Sequence, residues 1–73
     1  MHNRETIQAR FGERIRSLRT QSGMSQEAFA DKCGLDRTYI SGIERGVRNP
    51  TLAVINTLAL SLGIELKTLF DWP

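Results

Sequence analysis

The sequence predicts an all-α domain of five helices, and three observations carry the prediction. Ile7, Phe11, Ile15 and Leu18 step by four, four and three, which is the spacing of one helical face. Capping side chains stand where helices would begin and glycines stand where they would end. Between Gln26 and Arg45, sizes and polarities alternate as two short helices joined by a tight turn require.

The first helix is expected from Arg4 to Gln21, with Asn3 as its cap and Gly23 as its stop. Ser25 can cap the second, with Glu27 favourably placed in the first turn and Met24 positioned to staple onto Phe29. The buried side of that helix should be Phe29, Ala30 and Cys33. Asp36 caps the third, Leu35 and Ile40 repeat the staple, and Gly46 ends it. Gly42 inside this helix costs about 1 kcal/mol of propensity relative to alanine, so a close approach by a neighbouring helix or a bound duplex is expected there. After a loop from Val47 to Pro50, Pro50 with Thr51 starts a fourth helix. Its inner face is Leu52, Ile55, Leu58, Ala59 and Leu62, and Gly63 closes it. Leu66, Leu69 and Phe70 mark a short last helix.

Counted from Gln26, Ala30 is fifth, Gly34 ninth, and Ile40 and Ile43 fifteenth and eighteenth. A helix-turn-helix needs a small residue where its helices approach, a positive φ at the turn and an apolar back on the second helix. What remains on the front is Arg37, Thr38, Tyr39, Ser41 and Arg45, groups that bind phosphate oxygens and base edges.

The chain of 73 residues bounds the rest. It makes one domain, residues 1–73, of a size that buries only about 60% of its unfolded surface, so association would help it. One cysteine allows no intrachain disulfide and no zinc quartet. No signal peptide or membrane span is apparent, which leads to the expectation of a soluble cytoplasmic protein associated with the nucleoid. The net charge is +2, and nine Lys or Arg face six Asp or Glu up to Asn49, whereas the remainder is close to neutral. Such asymmetry fits a nucleic-acid face in the first two thirds. Enzymatic function is disfavoured: His2 is the only histidine, Cys33 lies on a buried face, and neither paired carboxylates nor a phosphate-cradling glycine loop occurs. No cofactor or metal is expected.

From Phe11 to Phe70 the blocks FGERIRSLR, MSQEAFA, LDRTYISGIERG, NPTL and LSLGIELKTLF resemble, in order, those of the helix-turn-helix regulators that include Cro, the lambdoid phage repressors and the wider XRE-like group. The run from Leu35 to Asn49 is especially similar to controller proteins of restriction-modification systems. The resemblance implies a lambda-repressor-like fold and a homodimeric, sequence-specific transcription regulator on a palindromic operator of double-stranded DNA, repressing or activating according to where RNA polymerase sits. By the same resemblance Gln26 anchors to phosphate, Arg37, Thr38, Tyr39 and Ser41 face the major groove, and Arg45, Arg48 and Asn49 contact bases or backbone. Arg19 and Glu44 would form a buried structural pair. Leu60 departs from the polar residue usual there, and the chain stops at Asp71, Trp72 and Pro73 where longer relatives continue.

The residues themselves leave alternatives. Arg37 can read guanine or only touch phosphate. Tyr39 can reach phosphate or pack between helices, and Ser41 can read a base or bond back to its own helix. Arg10, Arg14 and Arg16 read mainly as a solvated face. Leu60, Leu66 and Trp72 are candidates for a dimer surface, with Trp72 equally able to fold back on its own core. A DNA-binding antitoxin or a protein-binding module of the same fold is the competing function.

Overall fold

Each of the four α-helices begins at a side-chain oxygen that takes up a free backbone N–H, and those caps set the element boundaries in the computed structural model, which describes residues 6–72. Thr6 accepts from Ala9 N–H at 3.0 Å and starts α1 (Ile7–Gln21). The expected cap Asn3 and start at Arg4 lie outside the described residues. Ser25 caps α2 (Gln26–Cys33) through Ala28 N–H, and Asp36 caps α3 (Arg37–Glu44) through Thr38 N–H. Thr51 accepts from Val54 N–H and starts α4 (Leu52–Leu62). Pro50 therefore precedes that helix instead of opening it, because the hydroxyl one residue later supplies the cap. Leu66–Phe70 closes the chain as a 3-10 helix.

The turn between α2 and α3 depends on Gly34, whose φ of 70° lets Leu35 N–H bond back to Ala30 O at 2.9 Å. At the end of α3, Gly46 has φ 78°, and Val47 N–H bonds Gly42 O while Gly46 N–H bonds Ile43 O, both at 3.0 Å. The loop to α4 is thereby folded back over the last turn of α3.

Phe11, Ile15, Phe29, Ala30, Ile40, Ile43, Leu58, Ala59 and Leu69 form one buried core with contributions from all five segments. α1 and α2 both pack on α3, and α4 and the closing 3-10 helix complete the enclosure against α2 and α1. Gly12 sets the α1–α3 approach. A Cβ there would lie 2.3 Å from Ile43 O, so the backbones meet at a distance no side chain permits.

Two members of the expected apolar faces are exposed, while Leu18, Cys33, Ile55 and Leu62 are half-buried at the edge of the core. Ile7 is 60% exposed and Leu52 80%, since each stands in the first turn of its helix, beyond the reach of the facing elements. Arg14 corrects the reading of a solvated arginine face: it is half-buried, and Nη2 donates to Thr68 O at 2.8 Å, tying α1 to the closing 3-10 helix. Arg10 lies over the Trp72 ring, 5.2 Å from its centroid. Trp72 itself is half-buried, with its ring 5.8 Å from that of Phe70, so the fold-back alternative is the one the structure adopts. Among the described residues, no helix is long and apolar enough to cross a membrane.

Candidate nucleic-acid interface

α3 is built to show one face and hide the other. Ile40 and Ile43 are fully buried, which fixes the rotation of the helix. Arg37, Ser41 and Arg45 recur every four residues and so share a face about 12 Å long. Arg37 and Arg45 are exposed at its two ends, and Ser41 is half-buried between them. The Ser41 hydroxyl makes no hydrogen bond among the described residues, so it does not bond back to its own helix.

Thr38 is exposed, but its hydroxyl donates to Asp36 Oδ1 at 2.6 Å, the same oxygen that takes its backbone N–H at 2.8 Å. Its proton is thus committed to the cap, leaving the methyl and the oxygen lone pairs for a ligand. The hydrogen bonds from the Thr38 hydroxyl and N–H, aided weakly by Arg37, hold the Asp36 carboxyl below the usual carboxylate range. Tyr39 is half-buried against the core and carries a second arginine: Arg48 Cζ lies 5.5 Å from its ring centroid.

Behind this face, Arg19 Nε and Nη2 bond the two oxygens of Glu44 at 2.6 and 3.0 Å, and Arg19 Nη1 reaches Met24 O at 2.8 Å. The hydrogen bond and charge of Glu44 outweigh burial and raise the Arg19 pKa further. Gln26 Nε2 donates to Glu44 Oε1 at 2.9 Å. One of its amide protons is therefore spent inside the protein, whereas the second proton and the carbonyl oxygen are not so engaged. This network locks the start of α2 to the end of α3.

The space left by Gly42 is filled by neither a helix nor an open approach. Arg48 Cγ would stand 2.8 Å from a Cβ placed there. Sequence patterning flagged Gly42 and Arg48 separately but could not pair them, since the fold-back at Gly46 brings them together. Asn49 is exposed in the same loop and helps line an apolar groove with Ile7, Phe11, Pro50, Ile55 and Phe70. Leu60 and Leu66 are 70% and 44% exposed on the side of α4 and the closing 3-10 helix. Among the described residues, no cluster of three His, Cys, Asp or Glu side chains could hold a metal. Burial pushes the Cys33 thiol up, with a hydrogen bond to Ser61 offsetting part of the rise.

The family profile described as helix-turn-helix matches residues 15–69. The chain is 46% identical over 67 residues to the control protein C.BamHI of Bacillus amyloliquefaciens, an alignment that spans 90% of this chain and 83% of the relative. The restriction-modification controller protein C.AhdI from Aeromonas hydrophila superposes with a TM-score of 0.85 at 51% identity, covering 86% of this chain and 96% of that one. The controller protein C.Esp1396I, solved as a tetramer in complex with its natural 35 base-pair operator, matches with a TM-score of 0.84 at 35% identity over 93% of this chain and 90% of that one. The chain belongs to the XRE-like helix-turn-helix family of transcription regulators, and within it is related to the controller proteins of restriction-modification systems.

Proposed function

We propose that the protein is a sequence-specific regulator that places α3 in the major groove of double-stranded DNA and acts as a homodimer on a palindromic operator. The observation that carries this reading is the polar stripe of Arg37, Ser41 and Arg45, exposed at both ends and oriented by two buried isoleucines and by the Arg19–Glu44–Gln26 network. A helix fits a groove about 12 Å wide, and a guanidinium matches the O6 and N7 acceptors of guanine. Arg37 and Ser41 are the base-reading candidates. Thr38 offers its methyl to thymine.

Gln26, Tyr39, Arg45, Arg48 and Asn49 supply positioning contacts to phosphate, with the unpaired N–H groups at the start of α2 alongside. One such helix makes few contacts. A two-fold dimer spaces two of them about 34 Å apart and doubles the interaction. Leu60 and Leu66 are the dimer-surface candidates, while Trp72 packs within its own chain, beside Phe70 and under Arg10. Controller action follows the relatives, with the sign of regulation set by operator position relative to RNA polymerase. No catalytic step belongs to this reading.

The test is fluorescence anisotropy with a duplex from upstream of the protein's own coding sequence, against a scrambled duplex of equal length. Tighter binding to the upstream duplex, saturating at two chains per palindrome, is expected. Equal affinity for both would overturn sequence specificity.

A further inference from the structure

Gly42 has ordinary helical torsions, so the backbone does not need a glycine in the middle of α3. What needs it is Arg48. A Cβ on Gly42 would stand 2.8 Å from Arg48 Cγ, 3.2 Å from Nε and 3.5 Å from Cδ, so the arginine stem lies in the notch that the missing side chain leaves. The chain is delivered there by the bond from Val47 N–H to Gly42 O and by the positive φ of Gly46. Beyond the notch, the guanidinium rests over the ring of Tyr39, three residues before Gly42 and on the same side of the helix. Arg48 is nonetheless exposed, so its outer edge stays open to a ligand.

We propose that Gly42 is a positioning residue of the DNA interface: by omitting a Cβ it seats Arg48 along α3, with Tyr39 as the rest for its guanidinium, and so fixes where that charge meets the duplex. The proposal rests on the DNA-binding reading above. A loop arginine free to sample rotamers loses that freedom on binding, whereas a seated one has lost it already and arrives oriented. Its planar fork presents donors in a fixed direction, which an unseated side chain does not. Arg48 thereby becomes part of the α3 surface although it is not part of the helix.

Gly42→Ala tests this without threatening the fold, because alanine suits a helix better than glycine and the torsions are compatible. In the free protein, the Arg48 Hδ resonances should be shifted upfield by the Tyr39 ring and should move to ordinary values in Gly42→Ala and in Tyr39→Leu. In anisotropy titrations on the upstream duplex, Gly42→Ala should bind about tenfold more weakly, the scale of one charge-assisted contact, while its thermal midpoint is unchanged or higher. Arg48→Ala should lose a similar factor, and adding Gly42→Ala to it should cost nothing more. Unshifted Arg48 resonances in the wild type, wild-type affinity in Gly42→Ala, or a full further loss in the double variant would each overturn the proposal. Failure of the wild type to bind the upstream duplex would instead remove the underlying DNA-binding reading, and this role with it.

Discussion

Arg19 on α1 and Glu44 at the end of α3 meet through two parallel hydrogen bonds of 2.6 and 3.0 Å, with side chains only 10% and 3% exposed. The pair joins the first helix to the end of the proposed reading helix, and Gln26 attaches α2 to the same carboxylate. Removing one partner from such a site leaves a charge without its counterion, which costs about 3 kcal/mol, more than the intact pair is worth over an apolar replacement. Glu44→Ala should therefore lower the stability measured by urea unfolding by that amount. The double variant Arg19→Met with Glu44→Leu should lose distinctly less. A single variant as stable as the wild type would mean that the pair is not a lock on the fold.

Arg37 and Arg45 occupy the two ends of the exposed α3 face but are assigned different work. A bidentate base contact discriminates by about 1–3 kcal/mol, so Arg37→Ala should lose about 10- to 100-fold affinity for the upstream duplex and far less for a random one. Its salt slope should stay close to that of the wild type. Arg45→Ala, as a phosphate contact, should weaken both duplexes similarly and reduce the slope of log K against log salt by about 0.9. Equal losses of Arg37→Ala on the two duplexes would remove Arg37 from base reading.

The helices were legible because their ends carry local signals. Ser25, Asp36, Gly34 and Gly46 act through bonds spanning only a few residues, and these are the same in a peptide and in a protein. The buried back of α3 followed from periodicity, as Ile40 and Ile43 show, and that of α2 did so for Phe29 and Ala30 but only in part for Cys33, which is half-buried. Periodicity failed at Ile7 and Leu52, because a stripe tells which way a residue faces and not how far the opposing surface extends. It failed again at Arg14, whose long stem reaches Thr68, 54 residues away. The seat of Arg48 was hidden for a related reason: it exists only once the loop after α3 folds back, and neither residue type announces the other.

Asp36 gives the fold an acid limb of predictable sign. Its folded-state pKa is depressed, chiefly by the Thr38 hydroxyl and N–H, so the unfolded chain binds the proton more readily. The contribution is complete above the unfolded carboxylate value of about 3.9 and is lost as pH falls through the lower folded value. Asparagine caps a helix about as well as aspartate but does not titrate in this range. Urea midpoints of the wild type and Asp36→Asn should thus be similar at pH 7 and diverge below pH 4, where the wild type alone loses this increment. Parallel acid limbs in the two proteins would show that the Asp36 carboxylate is not differentially stabilised by folding.

Two helical glycines, Gly12 and Gly42, should respond to alanine in opposite directions. At Gly12 the new Cβ would fall 2.3 Å from Ile43 O and 2.7 Å from Glu44 O, backbone atoms of the facing helix that cannot rotate aside. α1 would have to back away from α3, opening the core around Ile15 and Ile43 and lengthening the Arg19–Glu44 bonds. Overpacking of this kind costs about 1–3 kcal/mol, and here it exceeds the propensity gain of about 1 kcal/mol that alanine brings to a helix. At Gly42 the obstacle is a side chain, which can swing out, so the propensity gain survives. Thermal or urea unfolding should accordingly rank Gly12→Ala below the wild type and Gly42→Ala at or above it. If Gly12→Ala proved as stable as the wild type, the close α1–α3 crossing at Gly12 would be wrong, and with it the placement of α3 against the body of the domain.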